Sequence, residues 1–159
     1  DDENGYMEWL LIDLWMKKPE KSYDATIFND TTSLRTPFSI GLTDELKAPQ
    51  GEAFIVSFGG EVEHAPHFSL MTTQAAPKEH MAQAVAALSG DAKALKQEAT
   101  DTGFVLHVDN GSYVEVHTGK KIGEALLLCD GYFSSKATQK KKALVLPWLE
   151  KACLSAKPK

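Results

Sequence analysis

Glu61-Val62-Glu63-His64-Ala65-Pro66-His67 brings two carboxylates and two imidazoles into one short stretch. Imidazole nitrogen and carboxylate oxygen are ordinary ligands for zinc and other transition metals, so the stretch has the donor chemistry of a metal site. Its spacing matches no established metal signature, and Pro66 equally gives it the character of a solvated turn between two strands. As a turn it suits partner binding, because loops on a rigid scaffold can vary without disturbing the core. Asp44-Glu45 supplies a second acidic loop. Glu45, Glu61, Glu63, His64 and His67 are therefore the candidate partner-binding residues. A metal-binding protein or metal-dependent enzyme built on Glu61 to His67 is the alternative.

Other reactive residue types are placed less suggestively. His107 and His117 fall on neighbouring strands but on opposite faces, which keeps them from sharing a ligand. Cys129 follows Leu126-Leu127-Leu128 in an apolar strand, the setting of a structural thiol rather than a nucleophile. The stretches beginning at Ser57 and Gly131 lack the Gly-x-Ser-x-Gly nucleophile elbow. Asp109-Asn110-Gly111 and Asp130-Gly131 share composition with calcium loops without the ligands that should follow. There is no Gly-rich phosphate loop and no Cys-x-x-Cys. The residues thus predict no catalytic centre, no bound metal as the first reading and no cofactor.

The elements that would position these residues are clearest from Gly103 to Ser135. Gly103 to Asp109 and Tyr113 to His117 are rich in β-branched and aromatic residues and meet at Asn110-Gly111, the dipeptide favoured in a two-residue type I′ turn. That turn would set Val108 opposite Tyr113, Leu106 opposite Glu115 and Val105 opposite Val116. A second tight connection at Gly119 would return Ile122 to Phe133 beside the second strand, completing a three-stranded antiparallel meander. Upstream, Tyr23 to Phe28, Phe38 to Leu42, Ala53 to Phe58 and His67 to Thr73 read as strands, with loop from Asp44 to Gly51. Pro77 opens a helix that runs to about Ser89, with Met81, Val85 and Leu88 on one face. Ala92 to Thr100 fits helix or strand. Ala143 to Cys153 follows a helical face, but Pro147 is awkward inside it and suggests a start near that residue. Ala156 to Lys159 reads as a frayed tail. Cys129 on the third meander strand and Cys153 on the last helix suit one disulfide, with two buried free thiols as the alternative.

Length and composition bound the rest. One domain over 1–159 is expected, with an apolar N-terminal segment at 1–20 and an α+β core at 36–156. The net charge of −5, and a lysine run confined to Lys140-Lys141-Lys142, argue against nucleic acid. Arg35 is the single arginine, so forked recognition of phosphate has one candidate. The apolar stretch around Trp9 and Trp15 is too short and interrupted to span a bilayer. Asp1 opens the chain without a signal-peptide pattern, as in a mature chain whose targeting segment has been removed.

The element order from Phe38 to Ser155 is strand, strand, strand, helix, meander, helix. This order resembles the PsbP-like fold, a family of small α+β domains that includes photosystem subunits and bacterial effector chaperones. The resemblance implies an antiparallel sheet with helices packed on it and a C-terminal helix; it carries over no site residue. Small size, acidity and absent catalytic motifs then lead to a non-catalytic protein-binding domain. Its specific form is a bacterial immunity protein that neutralises a secreted toxin or effector, in a periplasmic or secreted setting if the disulfide forms.

Overall fold

The computed structural model describes residues 16–17, 21–29, 34–42, 46–47, 54–58, 66–133 and 137–158. Among them, β3 (Leu46–Lys47), β4 (Phe54–Phe58), β5 (Pro66–Thr73), β6 (Lys93–Ala99), β7 (Gly103–Asp109), β8 (Val114–Ile122) and β9 (Ala125–Phe133) form one sheet in the order β3-β4-β5-β9-β8-β7-β6. Every neighbouring pair in it is antiparallel. A second sheet joins β1 (Lys21–Asn29), β2 (Leu34–Leu42) and β10 (Lys157–Pro158). Met16 and Lys17 are helical, and the other helices among the described residues are α1 (Pro77–Ala86), the single turn α2 (Ala137–Lys140) and α3 (Lys142–Leu154). The fold is α+β: an antiparallel sheet with helices packed on it and a C-terminal helix.

The large sheet buries side chains on both faces. On one, Phe68, Leu70, Val114, Val116, Leu127 and Cys129 meet Val145, Leu146, Leu149, Ala152 and Cys153 of α3, and Ile40 of β2 joins the same cluster. On the other, Phe104, Leu106, Val108, Leu126 and Leu128 meet Met81, Ala84 and Val85 of α1 and Leu88 just beyond its end. Leu126, Leu127 and Leu128 therefore serve opposite faces in turn. A central strand covered on both sides reads as an unbroken apolar run for this reason. Full burial of each such side chain stabilises by about 1.5–3 kcal/mol. The Cys129–Cys153 disulfide forms, with its Cα atoms 5.4 Å apart, and staples α3 to β9. The free-thiol alternative falls with it.

Several expectations need correction. The β7–β8 connection is not a two-residue turn. Asp109 pairs with Val114, His107 with Val116 and Leu106 with His117, so four residues form the loop. Asn110 N–H donates to the Tyr113 carbonyl, and the Asp109 carboxylate accepts from Gly111 N–H at 3.0 Å. This side-chain turn at Asp109 competes with the two-residue closure. Gly111 does take a positive φ of 83°. Gly119 lies inside β8, and the tight connection is instead at Gly123, with a φ of 64°, between the paired residues Ile122 and Ala125. Of the Ala92–Thr100 stretch, Lys93–Ala99 is strand. Helix α3 runs through Pro147, because its five buried side chains outweigh a proline penalty of ~3 kcal/mol. The tail is paired rather than frayed: Lys157 and Pro158 lie opposite Ser39 and Phe38, and Ala156 is buried. Leu46 and Lys47, expected as loop, pair with Phe58 and Ser57. The apolar N-terminal segment lies outside the described residues except for Met16 and Lys17, and Met16 packs against the α3-side core.

Candidate functional site

The register of β8, β9 and β5 builds a polar lattice on the sheet face that α1 covers only in part. One row is Glu115, Tyr132 and His67; the next is His117, Asp130 and Ser69. On β7 the same rows continue as Val108 and Leu106, which lie beneath α1. The apolar cluster thus gives way within one strand spacing to ionisable and aromatic side chains.

His117 is the centre of the lattice. Its Nδ1 lies 2.6 Å from Asp130 Oδ1 and its Nε2 2.9 Å from Glu115 Oε2. Burial acts to lower its pKa, but hydrogen bonds to Asp130 and Glu115 and their charges outweigh that and raise it to about 9. The ring is therefore an imidazolium at neutral pH, with both N–H groups donating. Glu115 is held below the usual carboxylate range, chiefly by its bond to His117, and it also accepts from Asn110 Nδ2 at 2.8 Å. A histidine committed in this way is a poor base, because it has no free lone pair. Two carboxylates around one imidazolium leave a local excess of negative charge.

The aromatic part runs alongside. His67 stacks on Tyr132 with ring centroids 5.1 Å apart, and Tyr113 tilts against Tyr132 at 5.6 Å. The Asp130 side chain is 45% exposed, and both tyrosines are half-buried. The surface offers aromatic faces, phenolic hydroxyls and an accessible carboxylate, a combination suited to donor-rich, cationic groups.

Two further ionic clusters hold elements together. The Asp109 carboxyl is lowered to about 2 by the Gly111 N–H, Lys142 and Gln139, with Lys142 Nζ at 3.0 Å and Gln139 Nε2 at 2.7 Å. This ties the β7–β8 loop to α2 and α3. On the α3 side, Glu150 Oε1 lies 2.8 Å from His107 Nε2 and 3.0 Å from Lys96 Nζ. A surface depression of about 260 Å³ is lined by residues including Thr100, Thr102, Phe104, Lys120 and Leu154. The Lys120 ammonium there donates to the Leu154 and Ala156 carbonyls, closing the C-terminal end of α3.

Of the residues singled out in the sequence, His67 is 6% exposed and belongs to the lattice through Tyr132. Glu45, Glu61, Glu63 and His64 lie outside the described residues. Among the described residues, no group of three His, Cys, Asp or Glu side chains is arranged to hold a metal. His107 and His117 do face opposite ways, each against carboxylates. Sequence reasoning missed Glu115, Asp130, Tyr113 and Tyr132. The signal was available in part: Glu115-x-His117 and Asp130-x-Tyr132 each put polar residues on one strand face at a spacing of two. No helix among the described residues is long and apolar enough to cross a membrane. No protein-family model matches the chain, and no curated protein matches it significantly.

Proposed function

We propose that the chain is a non-catalytic protein-binding domain, and specifically a bacterial immunity protein that holds a secreted toxin or effector in an inactive complex. The half-exposed surface of Tyr113, Tyr132 and Asp130, backed by the Glu115–His117–Asp130 ion pairs, carries this reading. Tyrosines give large contact area at low conformational-entropy cost. A rigid, internally paired backing limits what must be ordered on docking. Asp130 and the net charge of −5 favour a basic partner and would steer its approach. Glu45, Glu61, Glu63 and His64 remain candidate partner-binding residues on the strength of the sequence alone. The disulfide is compatible with a secreted or periplasmic setting. The element order, similar to that of PsbP-like domains among which effector chaperones are found, supports the same class.

The test uses the product of the gene encoded beside this one. Immobilised chain should retain that product, and coexpression should restore growth to cells that the product inhibits. Tyr132→Ala and Asp130→Asn, each shown to be folded at the assay temperature by circular dichroism and melting, should weaken retention, Tyr132→Ala by about tenfold or more, as loss of a central interface tyrosine does. Retention unchanged in both variants refutes the placement on this face. A neighbouring product that is toxic but neither retained nor neutralised refutes the immunity reading.

A further inference from the structure

We infer that β6, the last strand of the seven-stranded sheet among the described residues, is a self-association edge that pairs antiparallel with β6 of a second copy of this chain, with Gln97 on the two-fold axis. The argument starts from which backbone groups face outward. Thr100 N–H donates to the Gly103 carbonyl at 2.8 Å, and Glu98 and Lys96 lie opposite Val105 and His107 in the same register. Hydrogen-bonded pairs recur at every second residue of an antiparallel ladder. Thr100, Glu98 and Lys96 therefore bond inward to β7, while Gln97 and Ala99 turn their N–H and C=O groups away from the sheet; Leu95 sits in the bulge that precedes them. Among the described residues, no strand lies beyond them.

Two such edges form a ladder when outward-facing residues meet. Charge selects the register. With Gln97 opposite Gln97 of the second copy, Leu95 meets Ala99, and Lys96 meets Glu98 twice by symmetry. These charge pairs occupy non-hydrogen-bonded positions, where side chains are closest. Sliding by one step in either direction places Lys96 against Lys96 or Glu98 against Glu98. Both neighbouring registers thus oppose like charges at the axis, and only the central one is attractive throughout. The interface is isologous and closes at two copies. Leu95, 47% exposed at the bulge between Ala94 and Lys96, gains a cover. Lys93 and Lys96 discourage pairing with strands that lack the complementary glutamate, as lysines do on other protected edges. Glu150 at 3.0 Å holds the Lys96 ammonium on this edge.

Sedimentation velocity over a concentration series tests the proposal, with far-UV circular dichroism and melting to confirm each variant's fold. The wild type should pass from monomer to dimer. Gln97→Pro removes an outward N–H without taking one from the β6–β7 ladder, and it should abolish the dimer. Glu98→Lys, on an exposed side chain, should weaken association about tenfold by turning two attractive pairs repulsive. Mixing Glu98→Lys with Lys96→Glu restores both pairs and should recover association as a heterodimer. A wild type that stays monomeric up to its solubility limit overturns the proposal. A dimer whose strength Glu98→Lys leaves unchanged does so too.

Discussion

The ring of Phe68 occupies the space where a side chain on its cross-strand partner Gly131 would stand. A Cβ at residue 131 would come within 2.9 Å of Phe68 Cε1 and 3.5 Å of Cys153 Sγ. The opposite face repeats the relationship: Phe104 is paired with Gly119, and a Cβ there would sit 2.3 Å from Phe104 Cε1. Each face of the sheet is thus packed by an aromatic ring lying over a glycine.

Gly131→Ala should destabilise by about 1–3 kcal/mol, the usual range for overpacking a filled core. Phe68→Leu should relieve part of that loss, so the double variant should be more stable than the sum of the two single changes predicts. Denaturant unfolding of the four proteins measures the coupling. Strict additivity would show that the ring and residue 131 do not compete for space.

Replacing both Cys129 and Cys153 by Ala should lower stability by about 2–5 kcal/mol. Thermal unfolding with and without reductant checks this: reductant should lower the wild-type melting temperature and leave the variant unmoved. Equal melting of both proteins without reductant would remove the staple's role.

His117 sets an alkaline limit. Its folded-state pKa, about 9, is above the ordinary 6.5, so its contribution is fully present below about pH 6.5 and is lost as pH rises through about 9. His117→Gln should flatten the decline in stability over that window. An NMR titration should find the imidazole deprotonating near pH 9 in the wild type and earlier in Asp130→Asn. A His117 that titrates near 6.5 would contradict the ion-pair geometry.

Asp109 sets an acid limit of the opposite sign. Its pKa is depressed from 3.8 to about 2, so its contribution is present above about pH 3.8 and is lost as pH falls toward about 2. Asp109→Asn should destabilise the protein at neutral pH by about 1–3 kcal/mol through its charged hydrogen bonds, and should narrow the gap between the two proteins in acid. A gap that stays constant from neutral pH to pH 2 would rule this out.

The meander was legible because β7, β8 and β9 carry β-branched and apolar residues at strand spacing. Its register was misread, yet the facing of every side chain survived. Moving Leu106 from opposite Glu115 to opposite His117 is a slip of two residues, which preserves alternation. The loop was misread because Asp109 is held by Gln139 and Lys142, thirty or more residues away, and local turn preference does not see them. Glu115 and His117 were legible as same-face neighbours. Their meeting with Asp130 and Tyr132 was not, because it depends on a turn at Gly123 rather than Gly119. Pro147 misled for a related reason: propensity is local, whereas Val145, Leu146 and Leu149 are buried by a distant sheet.

Helix α3 is fastened near both ends. Lys142 is bound to Asp109 in its first turn, and Cys153 is bonded to Cys129 in its last. A helix held at one end can fray from the other, exchanging its amide hydrogens through small local openings. Here the covalent tie closes the C-terminal route and the ionic clasp opposes the N-terminal one. The amides between Val145 and Ala152 should therefore exchange only when the sheet itself opens, at a rate set by global unfolding. For solvent hydrogen, the helix and the three strands β7, β8 and β9 are a single unit.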